Sequence, residues 1–348
     1  MEFSLPSFSI FSKPTQSVLG IDIGTSSIKV VQLRREHGRV VLETYGAIAL
    51  GPYAGVEIGR ATSLDATKIG EALKDVIREA NVTTQDAAIS IPYASSLISL
   101  VKLPASVEGQ LAQVMPIEAR KYIPVPINEV LLDWFVVTGG KAAAPDGKIE
   151  VLLVAIHNDT IAKFRSMAAD AALSVAFFEI EVFSSVRAAL DHGLAPVAVV
   201  DMGAATTKFY VVERGLIRES HIINHGSQDL TLAASRALSI TVAQAEERKR
   251  KFGLLSIPEN TIKQSLELTL GPIVSEISRT AQSWEQAHNQ SLSALVLTGG
   301  GATLKGLKDF MQGKLQNELR LADPFGKTQA PEFSVAVGLG LRRLQELG

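Results

Sequence analysis

"GIDIGTSSIKVVQL" (Gly20–Leu33) reads as a strand broken at its centre. Apolar residues alternate up to Ile23, give way to a glycine and three small hydroxyl residues, and resume at Ile28, Val30 and Val31. A strand that only packed a core would gain nothing from Gly24, Thr25, Ser26 and Ser27 at its middle, with Asp22 just ahead of them. The pattern is that of two strands joined by a tight, small-residue turn.

The interrupted strand occurs twice. "LGIDIGTSSIKVVQL" from Leu19 superimposes on "VVDMGAATTKFYVVE" from Val199, with Asp22 on Asp201, Gly24 on Gly203, Ser27 on Thr206 and Lys29 on Lys208. A glycine at the turn lets backbone approach a ligand. The N–H groups and hydroxyls that follow can cradle phosphate oxygens. The aspartate ahead offers a hard oxygen to Mg2+ or its water shell, so Asp22 and Asp201 are the candidate metal residues. Two such hairpins face to face would clamp a nucleotide's phosphates from both sides. A third stretch, "SALVLTGGGATLKGL" (Ser293–Leu307), runs from an apolar strand into Gly299, Gly300 and Gly301 and then a helix expected to be capped by Thr303. Three bare positions let a flat group lie on the backbone.

Composition sets the bounds. The chain has 348 residues, 46% hydrophobic but only 6% aromatic, so Ala, Val, Ile and Leu fill the interior, as suits an α/β protein of more than one subdomain. Lys and Arg number 34 against 36 Asp and Glu, a net charge of −2 that gives no nucleic-acid footprint. There is no cysteine, which excludes disulfides and thiolate metal sites. Apolar runs such as "VLLVAI" (Val151–Ile156) are too short to span a membrane, and the N-terminus has no secretory pattern. The expectation is a soluble cytoplasmic protein.

Asp-x-Gly-Thr near the start, a second Asp-x-Gly midway and Thr-Gly-Gly-Gly late resemble the actin-like ATPase superfamily over nearly the whole chain. The resemblance implies an α/β fold of two lobes, each a duplicated RNase H-like domain, binding ATP and Mg2+ between them. It implies phosphate contacts from Asp22, Gly24, Thr25, Ser26, Ser27 and Lys29 in one hairpin, and from Asp201, Gly203, Ala204, Ala205 and Thr206 in the other. Gly299, Gly300 and Gly301 would form the adenosine loop. "TVAQAEERKRKFG" (Thr241–Gly253) has a Thr cap and puts Glu246 and Lys249 on one helical face. It looks like the Ala-Glu-x-x-Lys helix that lines the adenosine pocket in FtsA and MreB. In "FFEIEVFSSVRAAL" (Phe177–Leu190) the superfamily usually carries an acidic pair near the γ-phosphate, which makes Glu181, then Glu179, the candidate catalytic residues. Two apart on a strand, they would face one side. Ala204 and Ala205 replace hydroxyl residues in the second hairpin, so hydrolysis is expected to be slow at most. His157, His221 and His225 show no metal-ligand spacing.

The segment between the hairpins narrows the family. A strand "AAISIPYASSLISLVKLP", a helix-like "SVEGQLAQVMPIEARKYIP" and strands "EVLLDWFVVTG" and "KIEVLLVAIH" read as a small insertion, followed by a return helix "NDTIAKFRSMAADAAL" capped by Asn158 or Asp159; the resemblance implies that the inserted subdomain is SHS2-like. "EARKYIPVPINEVLLDWFVV" and "VAVGLGLRRL" look like the type IV pilus assembly PilM family, which is FtsA-related. The expected division is a tail at 1–17; a first actin-like subdomain at 18–94, 175–196 and 334–348; the insertion at 95–174; a second actin-like subdomain at 197–240 and 290–333; and a small adenosine-side subdomain at 241–289.

The resemblance implies an ATP-binding component on the cytoplasmic face of the inner membrane, held there by partners and coupling nucleotide state to their docking. The partner would be the cytoplasmic N-terminal peptide of a PilN-like membrane protein, with pilus motor ATPases and self-association as further contacts. An FtsA-like division protein and a small-molecule kinase are the alternative readings. Leu103, Val114, Met115, Ala119 and Tyr122, with Arg120 as a polar clamp, are the candidate peptide-groove residues. The tail "FSLPSFSIF", with Phe3, Phe8 and Phe11, is expected to pack on the protein's own surface or adhere to a membrane or partner.

Overall fold

The computed structural model describes residues 16–138, 147–190, 193, 195–326 and 329–347. The Phe-rich tail and most of the Gly/Ala/Lys loop after residue 138 lie outside the described residues. β1 (Ser17–Ile23), β2 (Ser27–Glu36) and β3 (Arg39–Ala49) form an antiparallel meander. α1 (Ala66–Glu79) starts where Asp65 caps it by accepting the Lys68 N–H at 2.9 Å. Its buried stripe of Ile69, Ala72, Leu73 and Val76 covers the sheet, and β4 (Asp86–Ile91) then pairs parallel to β1.

The chain next leaves for a separate sheet. β5 (Ser96–Pro104), α2 (Leu111–Glu118), β6 (Val130–Thr138) and β7 (Lys148–His157) build three antiparallel strands in the order β5-β7-β6. One long strand was expected from "AAISIPYASSLISLVKLP". Pro92 and a 3-10 turn at Tyr93–Ser95 instead divide it into β4 and β5, which belong to different sheets. α3 (Asn158–Asp170) begins one residue earlier than expected, with His157 at the cap. The Asn158 side chain donates to the Asn128 carbonyl at 2.9 Å instead of capping. Ile161, Phe164 and Met167 of α3 join the core of the first lobe with Leu73 and Val76, and Ile156 of β7 shares that core. β8 (Ser174–Ile180) and α4 (Glu181–Ala189) complete that lobe, whose sheet order is β3-β2-β1-β4-β8.

β9 (Val197–Met202), β10 (Thr207–Glu213) and β11 (Leu216–Ile223) repeat the meander. α5 (Ser227–Leu238), α6 (Val242–Phe252) and α7 (Lys263–His288) follow, then β12 (Leu295–Thr298), α8 (Leu307–Gln312) and β13 (Leu319–Leu321). The order β11-β10-β9-β12-β13 matches the first sheet strand for strand, so the hairpin repeat read in the sequence is a repeat of whole sheets. Thr303 does not cap a helix. It sits in a 3-10 turn and donates to the Gly300 carbonyl at 2.8 Å, and α8 starts four residues on, after Gly306.

α9 (Ser334–Glu346) crosses back to the first lobe and packs on α4, β1 and β4. The approach is close enough to need bare backbone. A Cβ on Gly20 would stand 1.9 Å from the Ala336 carbonyl oxygen, and one on Gly338 would stand 1.9 Å from that of Ser184.

Candidate functional site

The two hairpin turns are built alike. The Gly24 N–H donates to the Ser27 carbonyl and the Gly203 N–H to that of Thr206, each at 3.0 Å. Strand register sets Asp22 opposite Lys29 and Asp201 opposite Lys208. In each hairpin the lysine reaches its aspartate, at 3.4 Å for Lys29 and 3.0 Å for Lys208. Ser90, at the end of β4, donates to Asp22 at 3.1 Å. The outer sides of the hairpins differ. Thr62 donates its N–H to the Thr25 carbonyl at 2.8 Å, whereas the Gly203 and Ala204 carbonyls accept N–H bonds from Ser227 and Gln228 at the start of α5.

The acidic pair is split by the end of β8. Glu179 is the strand's penultimate residue and Glu181 the first of α4, so they do not share a face. Glu179 turns between α4 and α9: Arg187 of α4 holds both its oxygens at 2.8 Å, Arg342 of α9 holds one at 2.8 Å, and Ser184 of α4 also donates. Burial works to raise the Glu179 carboxyl, but these donors outweigh it and hold the group below its usual range. This residue ties α4 to α9 and lies off the hairpin cluster. Glu181 turns into that cluster: its Oε2 lies 2.9 Å from Lys208 Nζ, and its Oε1 accepts the Tyr93 N–H at 2.7 Å. Burial, and the charges of Asp201 and Asp22, raise the Glu181 carboxyl despite Lys208. The Lys208 ammonium is raised in turn: burial opposes it, and Asp201 and Glu181 prevail.

Lys208 is the residue that sequence reasoning missed. It was visible as the repeat mate of Lys29, but only the fold shows that it bridges Asp201 and Glu181. The expected metal residues, Asp22 and Asp201, thus each face an ammonium group. Among the described residues no three His, Asp or Glu converge as a metal site. The donor set as built does not fit a divalent ion. His157 stands at the α3 cap, His221 lies 2.8 Å from Glu276, and His225 lies 3.1 Å from Asp229.

Thr241 and Gln244 cap α6 reciprocally, at 3.1 Å each way. One turn in, Glu246 and Lys249 are buried and 2.7 Å apart, and Thr231 of α5 bonds to both. Burial pushes the Glu246 carboxyl up, but the Lys249 charge, with bonds from Lys249, Thr231 and Arg250, brings it down to about 2. Burial also lowers the Lys249 ammonium, against the pull of Glu246. A first-lobe loop reaches both helices: Glu57 accepts the Val242 N–H of α6 at 2.9 Å, and the Ala61 N–H donates to Gln228 of α5 at 3.0 Å.

The three glycines have separate roles. A Cβ on Gly299 (φ +81°) would lie 2.2 Å from Asp201 Oδ1, and one on Gly301 would lie 2.8 Å from Met202 Cβ. These two let the turn close on β9. A Cβ on Gly300 would meet nothing within 4 Å. That position alone of the three opens onto free space.

The expected peptide residues are not a groove. Leu103, Met115 and Ala119 are buried in the inserted sheet's own core, with Val114 packed against it, while Arg120 and Tyr122 are exposed. These are the apolar stripes that fasten α2 to its sheet. The groove between the inserted subdomain and the first lobe lies on another side. It holds about 500 Å3 and is lined by Leu131, Ile156, Arg165, Val175 and Phe178 among others. Leu131 is 53% exposed there, and β8 forms the end of its sheet beside it.

Two copies of one sheet, with matched hairpins and a bare glycine turn, give the chain the two-lobed actin-like fold. Solved structures share this fold. The chain resembles a chain of the PilM–PilN type IV pilus biogenesis complex at TM-score 0.78, with 21% identity over 95% of this chain and 99% of that one. It resembles ethanolamine utilization protein EutJ from Carboxydothermus hydrogenoformans at 0.58, with 17% identity over 94% and 90%. For ADP-bound MreB5 of Spiroplasma citri the values are 0.54 and 11% over 96% and 97%. The cell division protein FtsA of Bacillus subtilis is 22% identical over 92% of this chain and 82% of its own length. The family model for type IV pilus assembly protein PilM matches residues 20–344, and the chain belongs to that family.

Proposed function

We propose that the chain binds an adenine nucleotide between its lobes and couples that state to docking of a PilN-like peptide, as a component of type IV pilus assembly at the cytoplasmic face of the inner membrane. The observation that carries the nucleotide reading is the matched pair of hairpins, each with a lysine set against its aspartate and small turn residues, with Gly300 open on a third side. Glu246 and Lys249 are the proposed nucleoside contacts, and Lys29 a phosphate contact. Nucleotides are bound in similar folds: the MreB5 structures carry ADP and AMPPNP. Glu181 is the proposed carboxylate for orienting a water at the terminal phosphate. Both its oxygens are already engaged, one with Lys208 and the other with the Tyr93 N–H, which agrees with slow hydrolysis at most.

The docking reading rests on the groove between β6, α3 and β8. Its apolar lining and a sheet-end strand suit an extended peptide that adds main-chain bonds and buries alternate side chains. The name of the PilM–PilN complex supports the partner. Among the described residues no helix is long and apolar enough to cross a membrane, so attachment through such a partner is the reading that follows.

The test is fluorescence anisotropy of a labelled N-terminal peptide of the pilus membrane protein, with and without ATP. Leu131→Asp is expected to abolish binding in a folded protein, and Arg120→Glu to leave it unchanged. Peptide affinity untouched in Leu131→Asp would move the dock elsewhere. Binding of a tubulin-like division protein in place of the pilus peptide would favour the FtsA-like alternative.

A further inference from the structure

The charges around the hairpins balance in an unusual way. Asp22 pairs with Lys29 in the first hairpin, and Asp201 and Glu181 share Lys208 beside the second. Lys208 makes two of these contacts, at 3.0 Å to Asp201 and 2.9 Å to Glu181, and its side chain is only 13% exposed. It links a strand of the second lobe to the first helical residue of α4 and lies between the carboxylates of Asp201 and Glu181. A compact ammonium with three donors satisfies those oxygens without a metal. The same group can turn one donor to a phosphate oxygen while it keeps its carboxylates.

We propose that Lys208 is the resident cation of the phosphate site, taking the role of a divalent metal, so that Lys29 from one hairpin and Lys208 from the other neutralise the nucleotide's phosphates and binding does not depend on Mg2+. The proposal rests on the nucleotide reading above and deepens it. A metal-dependent site presents uncompensated carboxylates to draw the ion in. Here each of those carboxylates already faces fixed positive charge, and a divalent ion would enter against two lysines.

The test is ATP binding to the full chain by titration calorimetry, in excess MgCl2 and in EDTA. For the unaltered protein the two affinities are expected to agree within about threefold. Lys208→Met, which frees Asp201 and Glu181, is expected to bind at least about tenfold more weakly in EDTA and to recover when Mg2+ is added. Lys208→Arg, which keeps the charge, is expected to stay insensitive to the metal. Loss of more than about tenfold in EDTA by the unaltered protein overturns the proposal and leaves the nucleotide reading standing. That comparison decides the matter even if Lys208→Met does not fold. Absence of binding in both buffers overturns the nucleotide reading and this proposal together.

Discussion

Arg218 of β11 donates to Glu150 of β7 at 2.8 Å, which joins the second lobe directly to the inserted subdomain. Glu213 lies 3.1 Å from the same guanidinium and Lys102 3.7 Å from Glu150, so the pair sits in a four-residue charge network. A change in lobe angle must stretch this network or carry the inserted sheet along. Arg218→Met is expected to cost about 1 kcal/mol, the value of a half-buried pair. It should also speed amide exchange along β7 and β11. Exchange left at the original rate would show that the contact transmits nothing.

The glycine turn separates fold from ligand by substitution. Gly300→Val enters open space and is expected to hold the melting temperature while lowering ATP affinity about tenfold. Gly299→Ala meets Asp201 from a left-handed backbone and is expected to destabilise by about 2 kcal/mol or more. Paired melting curves and titrations read both effects. Equal ATP affinity in Gly300→Val would reduce the motif to a turn.

Glu179 and Glu181 should part company in the same way. Glu179→Gln leaves Arg187 and Arg342 facing a neutral group, and the loss is expected to reach about 3 kcal/mol. ATP affinity of the folded fraction should not move. Glu181→Gln leaves Lys208 with Asp201 and should cost clearly less stability. Urea midpoints compare the two; the reverse order would place the structural load on Glu181.

Acid should act through Glu246. Its carboxyl falls from an ordinary 4.5 to about 2 on folding, so its contribution is complete above about 4.5 and drains away as the pH drops toward 2. Glu246→Gln is expected to flatten the stability curve across that window, read as urea midpoints at stepped pH. An unchanged slope would assign the acid sensitivity to other carboxylates.

How far the sequence carried these conclusions differs between backbone and side chains. The hairpin repeat was legible because a turn must be written locally, in a glycine and its small neighbours. The α6 pair was legible because helical spacing alone puts Glu246 and Lys249 on one face. The split between Glu179 and Glu181 was not, since it depends on where β8 stops, and strand and helix meet there with no glycine or proline to mark the change. The groove was also illegible. The α2 stripe signals burial with equal strength whether it covers a partner or its own sheet, and the proposed groove sets β6 against α3 and β8, which only the fold brings beside it. The bridge of Lys208 to Glu181 likewise needs both lobes in place.

The closeness of α9 to β1 and α4 bears on how the molecule is made. Residues 197–333 hold the second lobe's sheet and helices in one unbroken run, and that lobe can condense as soon as its own segment has left the ribosome. The first lobe is emitted earlier but stays unfinished, because Val18, Val31 and Leu33 find their cover in Phe333, Ala336, Val337 and Leu344. The half translated first therefore matures last. Until α9 has been made, one flank of β1 and β2 is a bare apolar surface that a chaperone has reason to shield.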